Sequence, residues 1–265
     1  MDVFADLHVH TRNSDGTLPL DDLPAAAREA GIGVVAVTDH DRLHPDLPAP
    51  VVVHDGVTIV AGIELRVDAG DQRVDLLGYG ASPTPELRAE LDRLQADRVE
   101  RGRAIIERVE AELGIDLDLT AREGIGRPHV ARAIAAHPDA DYDVQGAFEH
   151  LIGRGRPCYV ARDIPDFETG VPLLDDACGL TSLAHPYRYD DVESALELGT
   201  DLDAVERYYP YGREVDPRPI ERAIAEHNLL VTGGSDAHDD RLGLAGLSKA
   251  DYRRFRTACR PRTFG

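Results

Sequence analysis

The stretch ADLHVHTRNSDG, residues 5–16, sets two histidines into an apolar run and follows them with Asp15 in a loop. Residues i and i+2 of a strand project from one face, so His8 and His10 make a two-imidazole grip. Apolar alternation alone does not ask for imidazoles there. A strand that ends in chemistry-bearing residues is instead typical of βα units, whose catalytic groups gather at the C-terminal ends of the strands.

Four more clusters repeat the arrangement. TDHD carries Asp39, His40 and Asp41, GIELRV carries Glu64, LAHP carries His185, and GGSDAH carries Asp236 and His238. The expected strands are 3–10, 33–38, 58–63, 73–77, 180–184, 203–206 and 229–232, and each cluster falls at or just past the end of one. The clearest helices are expected at 24–30 and 220–227. Short apolar runs alternating with helical patterns specify an α/β fold with a parallel sheet or barrel.

Residues 83–160 interrupt that alternation. Leu87, Leu91 and Leu94, then Ile105, Val109 and Leu113, share one helical face, and Gly114 supplies a stop. Two shorter helical stretches follow at 129–136 and 144–152. The expected organisation is a barrel domain of residues 1–82 and 161–265 with a helical insertion, a lid, at 83–160. The same pattern also fits helices that merely line the outside of the barrel.

Charge is distinctive. Forty-nine Asp and Glu face 29 Lys and Arg, a net charge of −20, and Lys249 is the only lysine. Such a surface suits a salt-accumulating cell, where screening shortens repulsion, and it says little about the substrate. Cys158, Cys178 and Cys259 have no paired spacing, which argues against a disulfide framework or a thiolate metal site. No apolar run is long enough to cross a bilayer, and a secretory leader pattern is lacking. No membrane partner and a cytoplasmic location are therefore expected.

Imidazole and carboxylate ligands without thiolates suit Zn²⁺, Mn²⁺ or Fe²⁺, and less exclusively Mg²⁺. Asp15, Glu64 and Glu206 are carboxylates able to bridge ions or balance their charge. Each cluster also has an ordinary reading: a capped turn for TDHD, a surface ion pair of Glu64 with Arg66 or Arg73, a glycine turn for GGSDAH. Their recurrence at one end of a barrel favours a shared metal site.

In this order, DLHVHTRNSDG, VVAVTDHD, VAGIEL, SLAHPYRY and LLVTGGSDAH resemble the polymerase-and-histidinol-phosphatase (PHP) family of phosphoesterases. The insertion text GRPHVARAI and AFEHLIGRGRPCYV resembles the stand-alone branch, which includes nucleoside 3′,5′-bisphosphate phosphatases and 5′-to-3′ exoribonucleases. The resemblance implies a distorted (β/α)₇ barrel with two or three divalent ions. It places His8, His10, Glu64 and Asp236 on one ion, Glu64 and His185 on a second, and Asp15, His40 and His238 on a third. One residue departs from the pattern: Asp75 in RVDLLGYG stands where the family usually has a histidine, and it is expected to remain a ligand.

The reaction so implied is hydrolysis of a phosphate monoester by water activated on the metals held by His8, His10, Asp15, His40, Glu64, His185, Asp236 and His238. The expected substrate is a small nucleotide, such as a nucleoside 3′,5′-bisphosphate, or the 5′ end of a short RNA. Arg127, His129 and Arg132 are candidates for a second phosphate, with Arg154 and Arg156 nearby in sequence. Tyr187, Tyr189, Tyr208, Tyr209 and Tyr211 can stack on a base or pack at the rim. The basic text DYRRFRTACRPR is expected as a terminal helix, with an RNA contact as its other reading. The competing functions are a histidinol-phosphatase type of enzyme and a metal-dependent sensor or interaction module without turnover.

Overall fold

The computed structural model describes residues 2–260. The chain divides into two compact units, one of residues up to Ala89 and from Ile164, the other Glu90–Asp163.

The first unit is built on β1 (Ala5–Val9), β2 (Val34–Val37), β3 (Val51–His54), β4 (Val57–Asp68), β5 (Arg73–Tyr79), β6 (Leu180–Leu183), β7 (Ala204–Tyr208) and β8 (Leu230–Gly233). They lie in the order β1-β2-β4-β5-β6-β7-β8, with β3 paired to β4 off that path. In β2 Val34 and Ala36 enter one apolar cluster, while Val35 and Val37 enter another. Burial on both faces explains why this strand reads as an unbroken apolar run.

The sheet is mixed, which corrects the expectation of parallel strands throughout. The β1/β2, β2/β4, β6/β7 and β7/β8 pairs are parallel, whereas β5 runs antiparallel to both β4 and β6. The reason is local. Alternation of Ile63, Leu65 and Val67 with Glu64, Arg66 and Asp68 carries β4 five residues beyond the expected end, leaving a four-residue turn before β5. A connection that short can only join antiparallel strands. Gly70 in this turn takes a φ of 84°, a conformation open to glycine.

Glu64 consequently lies within β4 and not at its end. The reversal of β5 brings Asp75, near its start, opposite Arg66 of β4. Beyond β8 the chain returns to β1: Ala237 bridges Val9, and His10 N–H donates to the Ala237 carbonyl at 2.9 Å. A Cβ on Gly234 would lie 2.4 Å from the His8 backbone nitrogen, so only glycine permits this approach.

Helices α1 (Leu23–Glu29), α5 (Phe167–Ala177), α6 (Val192–Glu197), α7 (Arg218–His227) and α8 (Lys249–Ala258) complete the unit. Helix α7 ends at Asn228 in the left-handed region, a usual helix stop. Helix α8 buries Tyr252 and Phe255 in the cluster that holds Leu7, Leu77 and Tyr79. Its sequence continues to Pro261 and Arg262 of the basic text, which lie outside the described residues. Strand β3 and helices α5 and α6 have no counterpart in the sequence reading: β3 is short and exposed, and Gly170 and Pro172 interrupt the pattern of α5.

In the second unit α2 (Pro85–Leu113) contributes Ile105, Ile106 and Val109 to a core with Ile125, Val130, Ile134, Leu151 and Ile152. Gly114 follows α2 with a φ of 69°. Then come α3 (Arg127–Ala136), the short α4 (Val144–Ala147) and a wider turn over Phe148–Ile152.

Candidate metal centre

Three overlapping groups of ligand-type side chains meet in the first unit. They are His8, His10, Glu64 and Asp236; Glu64, Asp75 and His185; and His10, Asp15, His40 and His238. Within each group the ligand atoms lie within 4.8 Å of one another. All nine residues singled out from the sequence as ligands are brought together. His44, His54, His137, His150 and His227 belong to none of the groups.

His8 and His10 leave β1 on one face, as their spacing predicts. His10 Nε2 is 3.0 Å from Asp236 Oδ1 and 3.3 Å from Glu64 Oε2, and His8 Nε2 is 3.4 Å from Glu64 Oε1. Glu64 is not on the surface beside an arginine: it is buried, 2.8 Å from His40 Nδ1 and 3.0 Å from His185 Nε2. His238 Nε2 lies 3.3 Å from Asp15 Oδ1. His185 and Asp236 both have positive φ, at 27° and 52°, so two of the nine side chains are aimed by unusual backbone.

His8 Nε2, both ring nitrogens of His10, Glu64 Oε2 and Asp75 Oδ1 are buried without an aligned hydrogen bond among the described residues. Unbonded buried polar atoms are costly. Apart from the 3.0 Å hydrogen bond between His185 Nε2 and Glu64 Oε1, these nitrogen lone pairs and carboxylate oxygens converge on common points without bonding one another, which is what divalent cations require. The donor set therefore fits metal ions.

The electrostatics agree. Burial alone pushes the imidazole of His10 down, but Asp236 and Glu64 outweigh it and bring the group up to about 10. Burial opposes the charge of His8 too, yet Glu206, Glu64 and Asp236 hold it well above its ordinary value. Glu64 is pushed up by burial and held well below its usual range by His40, His8, His10 and His185. The raised values of His8, His10 and His40 favour protons on these three imidazoles beside the carboxylates.

Supporting carboxylates surround the ligands. His8 Nδ1 is 3.1 Å from Glu206 Oε1, and His185 N–H donates to Glu206 Oε2 at 2.8 Å. Such contacts fix ring orientation and leave the opposite nitrogen for a cation. Asp6 accepts from the N–H and hydroxyl of Ser235 and from Gly243 N–H, anchoring the loop of Asp236. Asp39 accepts from Thr11 N–H, Thr11 Oγ1 and Ser14 Oγ, fixing the loop of Asp15.

Sequence reasoning missed Arg188 and the roles of Tyr189 and Tyr209. Arg188 Nη1 and Tyr209 OH donate to Asp236 Oδ2 at 3.0 and 2.9 Å. Tyr189 OH accepts from Asp75 N–H at 2.8 Å, and Arg66 Nη1 is 3.3 Å from Asp75 Oδ2. The only signal was their proximity in sequence to His185 and Glu206. Of the residues considered for a second phosphate, Arg127 and His129 are partly buried in the second unit, while Arg132, Arg154 and Arg156 are exposed.

The curled mixed sheet and the converging imidazoles and carboxylates define a class of α/β proteins able to hold metal ions. The PHP domain model matches residues 6–142, and the chain belongs to that family. A 3′,5′-nucleoside bisphosphate phosphatase of Chromobacterium violaceum is 32% identical over 257 residues, covering 93% of this chain and 86% of that protein. A 5′-3′ exoribonuclease of Escherichia coli is 28% identical, covering 89% of this chain and 85% of its own length. A phosphoribosyl 1,2-cyclic phosphate 1,2-diphosphodiesterase of Eggerthella lenta is also 28% identical, over 89% of this chain and 94% of that protein. The fold is shared with a solved protein of Bifidobacterium adolescentis, with a TM-score of 0.82 at 24% identity over 98% of this chain and 97% of that one.

Proposed function

We propose that the chain is a metal-dependent phosphoesterase that hydrolyses phosphate monoesters of small nucleotides, such as nucleoside 3′,5′-bisphosphates, or the 5′ ends of short RNAs. The observation that carries this reading is the convergence of nine ligand-type side chains in three overlapping groups. The ligands proposed are His8, His10, Glu64 and Asp236 for one cation, Glu64, Asp75 and His185 for another, and Asp15, His40, His10 and His238 for a third. Manganese, zinc or iron is favoured by the nitrogen-rich donor set, with magnesium less so. Bound divalent cations would neutralise phosphate charge and make water a nucleophile near neutral pH.

The protein's own residues do the rest. Glu206 orients His8 through Nδ1 and steadies the His185 backbone. Arg188, with a side chain about half exposed beside Asp236, is placed to meet an incoming phosphate oxygen with a guanidinium fork. Arg127, His129 and Arg132 are proposed to recognise a second phosphate of the substrate. The excess of acids supports a salt-rich cell, and three buried cysteines support a reducing cytoplasm. Among the described residues no helix is long and apolar enough to cross a membrane.

The test is phosphate release from adenosine 3′,5′-bisphosphate, a 5′-phosphorylated RNA, a ribose 1,2-cyclic phosphate and histidinol phosphate, with Mn²⁺, Zn²⁺ or Mg²⁺ supplied in turn. Turnover of the bisphosphate or the RNA is expected, and it should vanish together with bound metal in His10→Ala and Asp236→Ala. Release from histidinol phosphate alone would transfer the protein to amino-acid metabolism. Metal binding with no turnover at all would make it a sensor or interaction module.

A further inference from the structure

The three ligand groups are not equally supplied. Two of them have four side chains, whereas Glu64, Asp75 and His185 are only three, and Glu64 is shared with the group of His8, His10 and Asp236. Within this smallest group His185 Nε2 and Glu64 Oε1 already make a 3.0 Å hydrogen bond. Asp75 is engaged as well. Arg66 stands opposite it across the β4/β5 pair, and Arg66 Nη1 lies 3.3 Å from Asp75 Oδ2. The same Oδ2 lies 3.8 Å from His185 Nε2, so a guanidinium and a cation held by His185 would compete for one oxygen.

The backbone fixes both members of the pair. Asp75 N–H donates to Tyr189 OH at 2.8 Å, and the Asp75 carbonyl accepts from Ala184 N–H at 3.0 Å. Arg66 N–H donates to Asp41 Oδ1 at 3.1 Å, while Asp41 N–H donates to the Glu64 carbonyl at 2.9 Å. The Asp75 side chain is 4% exposed, so water screens its charge poorly and the attraction of the guanidinium is strong. A positive charge this close opposes a second one at the same carboxylate. Asp236 shows the contrast. Its Oδ2 also accepts from Arg188, but the other oxygen, Oδ1, is the one that meets His10 Nε2 at 3.0 Å and His8 Nε2 at 3.5 Å.

We infer that Arg66 is a positioning residue that makes the Glu64, Asp75 and His185 position the last of the three to take up a divalent cation. The inference rests on the reading of these residues as metal ligands and adds to it an order of filling and the cause of that order. Occupancy of this one position then follows the free divalent-ion concentration while the other two stay filled.

The experiment titrates the full-length, metal-stripped protein with Mn²⁺ and follows the free ion by its electron paramagnetic resonance signal. The parent is expected to bind in a tight phase followed by a weaker one. Arg66→Gln removes the competing charge, and its weaker phase should tighten about tenfold. Both phases should be unchanged in Arg222→Ala, a control on an exposed ion pair with Glu193. Asp75→Asn should abolish the weaker phase and spare the tight one. Urea unfolding of the metal-free protein supplies a contrast: Arg66→Gln should be less stable, because a buried carboxylate loses its partner, even as its cation binds more tightly. An arginine that only supports the fold would lower stability and cation binding together. A weaker phase that does not tighten in Arg66→Gln, or a tight phase lost in Asp75→Asn, overturns the inference and leaves the metal-centre reading standing. No Mn²⁺ binding by the parent overturns both.

Discussion

The imidazole of His8 is gripped on one side by Glu206 and faces Glu64 and Asp236 on the other. Glu206→Gln keeps the shape but removes the charge that orients the ring. Affinity for Mn²⁺ or Zn²⁺ should fall by about 10–100-fold. Competition against a chromogenic chelator measures it, and undiminished affinity would mean the ring is oriented by other contacts. His10 carries a second prediction. In the metal-free fold its imidazole is raised from 6.5 to about 10. A raised group stabilises the folded state fully below its unfolded value and loses that contribution as pH climbs through the folded one, here between 6.5 and about 10. A cation on the same ring must expel the proton, so metal binding should release protons at pH near 8 and strengthen toward higher pH. Calorimetric heats should therefore differ between buffers of unlike ionisation enthalpy; identical heats would show imidazoles that are already neutral. Eight of the nine ligand-type residues were legible because histidine and acid break an apolar pattern near expected strand ends, whereas Asp75, near the start of β5, was legible only through the family resemblance. Arg188 and Tyr209 were not: their contacts with Asp236 span 48 and 27 residues, and neither residue type is unusual in a loop.

Strands carry less information about direction than about place. Seven of the eight strands are located by their apolar runs, because burial on both faces leaves long β-branched stretches. Direction depends on where a strand ends, and Glu64 was read as an ending when the alternation ran on to Asp68. That shift of five residues turns a presumed crossover into a hairpin and carries Asp75 into the centre. The return from β8 to β1 is a sharper dependence. Gly234 abuts the His8 backbone, and Gly233 packs with similar closeness on Tyr208. Gly234→Ala must push the Asp236 loop away from β1. A cost of about 1–3 kcal/mol is expected from such overpacking, together with loss of metal binding. Urea unfolding and metal titration read both. Val53→Thr on exposed β3 is the comparison and should stay within about 0.5 kcal/mol. A Gly234→Ala protein that keeps its metal would show that the loop can be re-seated.

At the scale of the whole molecule, composition speaks where spacing is silent. The excess of 20 negative charges is spread along a chain in which several exposed cations are committed to local pairs, such as Arg93 with Glu90, Arg241 with Asp239 and Arg222 with Glu193. Exposed pairs of this kind contribute little each, and added salt weakens them further. Repulsion among the surplus carboxylates acts over longer distances, and salt removes it as the screening length shrinks from about 10 Å at 0.1 M to about 3 Å at 1 M. The two effects oppose each other, and the surplus decides which is larger. Screening should win, raising the melting temperature by roughly 5 °C, or about 2 kcal/mol, between these salt concentrations. The rise should persist with metal-loaded protein, because the charges that bound cations neutralise are buried in one centre and not spread over the surface. Calorimetry across a KCl series, run separately on metal-free and metal-loaded samples, distinguishes the contributions. A melting temperature that falls with salt would mean the local pairs outweigh the net charge, and would remove the physical reason for assigning the protein to a salt-rich cell.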